Sequence, residues 1–363
     1  MAAADELVGR FSARAGESGD CDDFVAPNFL DMKEAGVFAL HIPNELGGGG
    51  ASYGETCDYL RRLAQACGST ALALSMHTHL VAALVWRWAN QNAPVEGLLR
   101  RIAEHQLVLV STGGNDWLDG SGTAEPVDGG YRVSGRKIFS SGCPAGDLLM
   151  TMAVLSAPEG PQVLHFPVDL HGEGVSIDET WRTLGMRGTG SNDIVLENVF
   201  VPESSVGVKR PQGQWHPSMH LVAKVALPLI YSVYTGLAER AAELAIQMAK
   251  RRAESEHTQI MAGHLRTEAT ATRVVWQRMV EIGANSAPGE ETTDEVAMLR
   301  TLAARSALRA AELAKETAGG AAYFRKNELE RVVRDLQAAR YHPLQAYPQA
   351  RYTGRRALGL GVD

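Results

Sequence analysis

The residues best suited to chemistry in this chain lie in the stretch Gly135-Arg136-Lys137-Ile138-Phe139-Ser140-Ser141-Gly142. An aromatic side chain, two hydroxyls and a glycine at the end of a strand can lay a flat, ring-shaped ligand against a wall and hydrogen-bond its polar edge. Ser-Ser-Gly after an aromatic or β-branched run is also ordinary turn chemistry, so the stretch needs support from the rest of the chain. Two histidines, His77 and His79, stand in an otherwise apolar run, Ser75-Met76-His77-Thr78-His79. Their spacing sends them to different faces of a helix, which argues against a shared metal and leaves local hydrogen bonding as the alternative to a site role. His342 precedes Pro343, where it can end a helix near the C-terminal dipole or serve as the side chain that titrates nearest neutral pH.

Other patterns carry no chemistry. Gly47 to Gly50 is followed by no Lys-Ser or Lys-Thr, so it is not a phosphate cradle, and Gly188-Thr189-Gly190 lacks the third glycine and the strand-to-helix setting of a dinucleotide fingerprint. Asp116 and Asp119 lack the alternating oxygen ligands of a calcium loop. Cys21, Cys57, Cys67 and Cys143 show neither CxxC pairing nor Cys/His ligand spacing, so no disulfide framework and no metal site are expected.

These residues must be positioned by elements of two kinds. Helical periodicity runs over Asp23 to Ala35, Tyr53 to Cys67 and Ser69 to Asn90, with Ser69 as an N-cap for the last. From about Gln106 the pattern turns to short β-rich runs: Leu107 to Ser111, Tyr131 to Phe139, Leu148 to Leu155, Val163 to Val168, Val175 to Ile177 and Asp193 to Val199, closed by Pro202. Runs bounded in this way predict an antiparallel barrel or sandwich. Helical periodicity returns over Leu221 to Arg252, His257 to Glu281, Asp294 to Thr317 and Glu328 to Arg340, which predicts a four-helix bundle, with Pro228 as a possible kink. The expected architecture is α+β and multidomain: a helical domain over 1–106, a β domain over 107–210 and a helical bundle over 211–363.

At 363 residues the chain can bury a large core, and its net charge of -7 with mixed signs gives no basic face for nucleic acid. A small-molecule substrate is the expected partner. No run of consecutive residues approaches the roughly 20 apolar positions of a membrane span, and the start, Met1-Ala2-Ala3-Ala4-Asp5-Glu6, lacks the build of a secretory signal. A cytoplasmic location without membrane contact is the expectation.

The order helices, β unit, bundle, together with five motifs, resembles the acyl-CoA dehydrogenase superfamily of flavoproteins over nearly the whole chain. The motifs are Pro43-Asn44-Glu45-Leu46-Gly47-Gly48; Val133 to Gly142; Trp181 to Pro202, containing Leu184-Gly185-Met186-Arg187; Gly236-Leu237-Ala238-Glu239-Arg240; and Ala318-Gly319-Gly320 followed by Arg334-Asp335. The resemblance implies a homotetramer or homodimer that binds a flavin, FAD or FMN, between the β domain and the bundle, with the flavin tail reaching a neighbouring subunit. It implies Thr112, Phe139, Ser140 and Ser141 around the isoalloxazine, Phe139 packing on the ring. Arg252, Gly319 and Gly320 fall where the family contacts the cofactor.

Two departures select a branch. The family's catalytic glutamate would fall at Pro343, or in its second placement near Ala226, and neither is acidic. The phenylalanine that usually follows the arginine at 252 is missing from Ala253-Glu254-Ser255. Both departures suit the branch similar to dibenzothiophene monooxygenase and p-hydroxyphenylacetate hydroxylase, which takes reduced flavin from a separate reductase and reacts it with oxygen. That resemblance implies Ser141 at flavin N5, His342 as proton donor or acceptor, and His77 or His79 completing the pocket, around a small apolar or aromatic substrate. The alternatives are an FAD-dependent acyl-CoA dehydrogenase served by an electron-transfer flavoprotein, with its carboxylate at Glu316 or Glu328, and a non-catalytic flavin-binding or assembly subunit.

Overall fold

The computed structural model describes residues 2–17, 23–114 and 116–362; Cys21 lies outside them. The N-terminal helices are α1 (Ala2–Glu17), α2 (Ala26–Glu34), α3 (Tyr53–Ala66), α4 (Gly68–Gln91) and α5 (Glu96–His105). A capping box starts α3: Ser52 Oγ accepts the Glu55 N–H, and the Glu55 carboxylate accepts the Ser52 N–H. Ser69 is not the N-cap of α4. The extended residue Cys67 both ends α3 and begins α4, which draws Ser69 into the first helical turn.

The β unit comprises β1 (Leu109–Ser111), β2 (Thr123–Val127), β3 (Gly130–Lys137), β4 (Leu148–Leu155), β5 (Gln162–Asp169), β6 (Val175–Asp178), β7 (Asp193–Pro202) and β8 (Val208–Pro211). Its strands run in the order β6-β7-β3-β2-β4-β5-β8, with β1 also on β4. Neighbours are antiparallel except that β1 and β2 both run parallel to β4. Leu109 to Ser111 pair with Leu148 to Met150, and the chain rejoins the same strand at Thr123, opposite Val154. The excursion between those pairings, residues 112–122, is the loop that overhangs the site described below. The sheet does not stop at Pro202, because β8 adds to the far edge beside β5.

The bundle is α6 (Pro217–Ala249), α7 (Glu256–Asn285), α8 (Glu290–Ala318) and α9 (Glu328–Leu336), followed by α10 (Ala346–Ala357). Helix α6 is its axis and packs on α3, α4, α7, α8 and α9. Close approach needs small residues: a Cβ on Gly236 would lie 2.0 Å from the Arg61 carbonyl oxygen of α3. Ala303, Ala304, Ala307, Ala310, Ala311 and Ala314 of α8 are all buried and keep that helix tight against its neighbours. Pro228 sits inside α6, and Tyr53 donates its hydroxyl to the Val225 carbonyl close to the turn the proline interrupts.

By length and composition α4 and the α6 run to Arg252 would both serve as membrane spans, which reading consecutive apolar residues did not reveal; most of each is buried inside the fold. Helices apolar all round are what a large core requires. The first and last helical units share one hydrophobic core, in which Leu60 and Leu63 join Tyr231, Tyr234 and Leu237. The β unit has its own, centred on Leu149, Ala153, Leu164 and Ile194.

Candidate active site

A cavity of about 940 Å³ opens where the helical core meets the β unit. That is the upper end of the range for small-molecule pockets, roughly 300–1,000 Å³. Its helical walls are apolar, with Leu72 and Met76 from α4 and Leu227 and Ile230 from α6. Two buried cations hold the overhanging loop. Arg210 donates to the carbonyls of Leu118 and Trp117, each at 2.6 Å, and the Lys137 ammonium donates to the Ser121 carbonyl and hydroxyl and to the Met152 carbonyl. Burial lowers Lys137 to about 8.

The β wall presents hydroxyls and rings. Ser141 Oγ lies 2.7 Å from Ser191 Oγ, which lies 2.6 Å from Thr189 Oγ1, which donates to the Met186 carbonyl at 2.9 Å. The same carbonyl accepts Trp181 Nε1–H at 3.0 Å, and the Met186 N–H donates to Asp335 Oδ1 of α9 at 2.5 Å. Phe139 has φ +57°, the left-handed region, which is strained for an aromatic residue. The turn is held there by Ser140 N–H to Asn192 O at 3.2 Å and Gly142 N–H to Thr189 O at 2.8 Å. Its ring stands 49% exposed beside Trp181, edge to face at 6.0 Å. Thr112 and Thr151 share a hydroxyl contact of 2.9 Å nearby.

The helical wall presents two imidazoles. His79 Nδ1 donates to the Ser75 carbonyl at 3.2 Å, since a carbonyl can only accept, and this leaves Nε2 with its lone pair. Burial lowers His79 to about 4. His342 Nε2 lies 2.5 Å from the Tyr234 hydroxyl. Burial, and then the Arg300 guanidinium, push His342 down to about 3. Arg300 is itself buried: it donates to the carbonyls of Ala339, Arg340 and His342 and stacks 5.4 Å over Tyr231. Both histidines are therefore neutral near pH 7.

Hydroxyls and rings on one wall, neutral imidazoles on the other and an apolar interior suit the ring of a flavin better than its charged tail. Three domain profiles match the chain in order: acyl-CoA dehydrogenase N-terminal domain over residues 4–103, middle domain over 111–199 and C-terminal domain over 228–342. The chain belongs to the acyl-CoA dehydrogenase superfamily. As a member of that superfamily it is a flavin-dependent oxidoreductase. It is 25% identical to a putative acyl-CoA dehydrogenase, YdbM of Bacillus subtilis (strain 168), covering 93% of this chain and 92% of the relative. It is 31% identical to dibenzothiophene monooxygenase of Mycolicibacterium goodii over 59% of this chain and 54% of the relative. A solved structure of KijD3, in complex with FMN and a dTDP-linked amino sugar, superposes with a TM-score of 0.90 at 24% identity, covering 99% of this chain and 95% of that one.

Of the residues singled out in this superfamily member, Thr112, Phe139, Ser141, His79 and His342 come together on the cavity wall. His77 does not. Its Nε2–H donates to the Phe38 carbonyl at 2.8 Å and its Nδ1 accepts the Leu109 N–H at 3.0 Å, so it ties α4 to the preceding turn and to β1. Ser140 is wholly buried and donates back to the Lys137 carbonyl at 3.2 Å, as a turn hydroxyl does. Arg252, Gly319 and Gly320 lie away from the cavity. Arg252 donates to the Thr317 carbonyl at 2.8 Å and closes the end of α8 beside Gly319, so within one chain these three make no cavity contact. Trp181, Thr189, Ser191, Tyr234, Arg300 and Asp335 were not foreseen as site residues. Trp181, Thr189, Ser191 and Asp335 fall inside quoted motifs, which was the available signal; Tyr234 and Arg300 gave none, being set in apolar helix faces.

Proposed function

We propose that the chain is the oxygenase of a two-component flavin system. It takes reduced flavin from a separate reductase and uses O2 to oxygenate a small, largely apolar or aromatic substrate, acting in the cytoplasm as a homo-oligomer. One observation carries this reading: among the described residues no Asp or Glu lines the cavity, whereas His79 and His342 do. Dehydrogenation of an acyl thioester needs a base within hydrogen-bond reach of the α-proton. The two positions where the superfamily places that base, 226 and 343, both line the cavity, and they are Ala226 and Pro343. The carboxylates held as alternatives are elsewhere: Glu328 pairs with Arg240 at 2.7 Å, and Glu316 is exposed on α8.

Bound reduced flavin supplies the electrons that activate O2, so that one oxygen atom enters the substrate and the other leaves as water. The chain's own groups bind and orient. Phe139 and Trp181 would pack against the ring, and Ser141 would meet its polar edge. His79 Nε2 can accept a proton, and His342 can hold or pass one while Tyr234 fixes its ring. The apolar walls exclude water that would intercept the reaction. The FMN-bound relative, and the missing phenylalanine after Arg252, favour FMN over FAD.

The test has two arms: oxidised flavin with an acyl-CoA panel in the absence of oxygen, and reduced FMN with O2 and an aromatic probe such as indole. Oxygen incorporation in the second arm is expected. Bleaching of the flavin by an acyl-CoA would overturn the proposal.

A further inference from the structure

Ser141, Ser191 and Thr189 carry one hydroxyl proton each, and one order of those protons satisfies every contact of the chain. Thr189 Oγ1 lies 2.9 Å from a carbonyl oxygen, that of Met186, and since a carbonyl only accepts, this contact is a hydrogen bond when Thr189 donates. Thr189 can then only accept from Ser191, at 2.6 Å. With its proton spent, Ser191 can only accept from Ser141, at 2.7 Å. In that order all three O–H bonds are used within the chain, and Ser141, which lines the cavity, has only lone pairs left to offer a ligand. The far end of the chain is held in turn by Trp181 Nε1–H on the same carbonyl and by Asp335 on the Met186 N–H.

We infer that this relay makes Ser141 an acceptor toward the ligand and so sets the seat's preference for reduced over oxidised flavin, with Ser191 and Thr189 as positioning residues. Reduced flavin carries an N–H at N5; oxidised flavin has only a lone pair there. An acceptor serine receives the first and repels the second. Reversing the relay to serve oxidised flavin pulls Thr189 off the Met186 carbonyl, and a neutral hydrogen bond corresponds to a preference of several-fold to roughly tenfold. The inference rests on the cavity being a flavin seat that takes up the reduced form.

The experiment titrates the full-length protein anaerobically with oxidised and with reduced FMN and measures the midpoint potential of the bound flavin. The wild type should bind reduced FMN several-fold to roughly tenfold more tightly and so raise the potential above that of free FMN. In Thr189→Val, Ser191 is freed to donate to Ser141, which can then donate to the ring, so the ratio should collapse toward one and the potential should fall. Ser191→Ala should act in the same direction, and it carries the test if the valine variant does not fold. Thr189→Ser keeps the hydroxyl and should restore the wild-type ratio. A wild type that prefers oxidised FMN, or a ratio unmoved by Thr189→Val and Ser191→Ala, would overturn the inference. The measurement uses neither oxygen nor substrate. A protein that shows the ratio but does not oxygenate sinks only the proposed function; one that oxygenates with an unmoved ratio sinks only the relay; one that binds no flavin sinks both.

Discussion

The two walls of the cavity each present polar groups and yet solve different problems. Where β3 ends, the β wall is polar without titratable groups: Ser141, Ser191 and Thr189 form a chain of hydroxyls that ends on a carbonyl. The helical wall carries groups that titrate, but burial keeps His79 neutral, and burial with the Arg300 guanidinium keeps His342 neutral. The hydroxyl chain therefore presents the same groups to a ligand at every pH the fold survives. The other wall carries imidazoles that can move protons.

Acid should expose that difference most strongly. His77, His79 and His165 are lowered to about 4 and His342 to about 3, in each case chiefly by burial. A histidine held below its ordinary value of about 6.5 lends stability that is present above that pH and lost as pH falls toward its folded value, at up to about 1.4 kcal/mol per pH unit for each group. Four such groups should bring cooperative unfolding at about pH 4–5, followed by circular dichroism. The double variant His79→Gln/His342→Gln should move that midpoint down, and Ser141→Ala should leave it in place.

The next largest effect should come from separating the walls. A Cβ on Gly185 would lie 2.3 Å from the Arg334 carbonyl oxygen and 2.7 Å from the Asp335 nitrogen. Gly185→Ala should cost about 3 kcal/mol in chemical denaturation and weaken flavin binding, because the loop it displaces carries Met186. Arg300→Met should cost about 2 kcal/mol, since the three carbonyls the guanidinium serves lose their donor. It should also raise the acid limb of the pH-rate profile, because the cation that lowers His342 is gone.

The smallest effects separate two neighbours on one helix. His77→Gln should cost about 1–2 kcal/mol by loss of two backbone contacts and leave flavin affinity unchanged. His79→Gln should change stability by less than about 0.5 kcal/mol and reduce turnover. Equal effects from the two in either assay would erase the distinction between anchor and site residue.

How much of this was legible varies from residue to residue. The three-part fold was readable because long apolar periodicities and turn residues bound its elements, and Thr112, Phe139 and Ser141 were readable because a strand end and its motif are local. The helix spacing of His77 and His79 showed that they part company, but a single helix does not say which face meets a cavity built partly by residues 337–343. Strand β2 was missed because Glu125 and Pro126 read as a break, and β8 because four residues ending in Pro211 carry little pattern. The direction of the hydroxyl relay was out of reach. It depends on Ser191, 50 positions from Ser141, and on a carbonyl whose exposure only the fold decides. Arg300 reads as one more charge on a helix; its burial among Tyr231 and three carbonyls emerges only when α8 packs on α6.

The bond from the Met186 amide to Asp335 spans 149 positions of the chain. During synthesis the β unit is complete long before residue 335 leaves the ribosome, so the turn at Met186 lacks this anchor until α9 arrives. An unfinished or C-terminally clipped chain can hold the sheet without holding the seat.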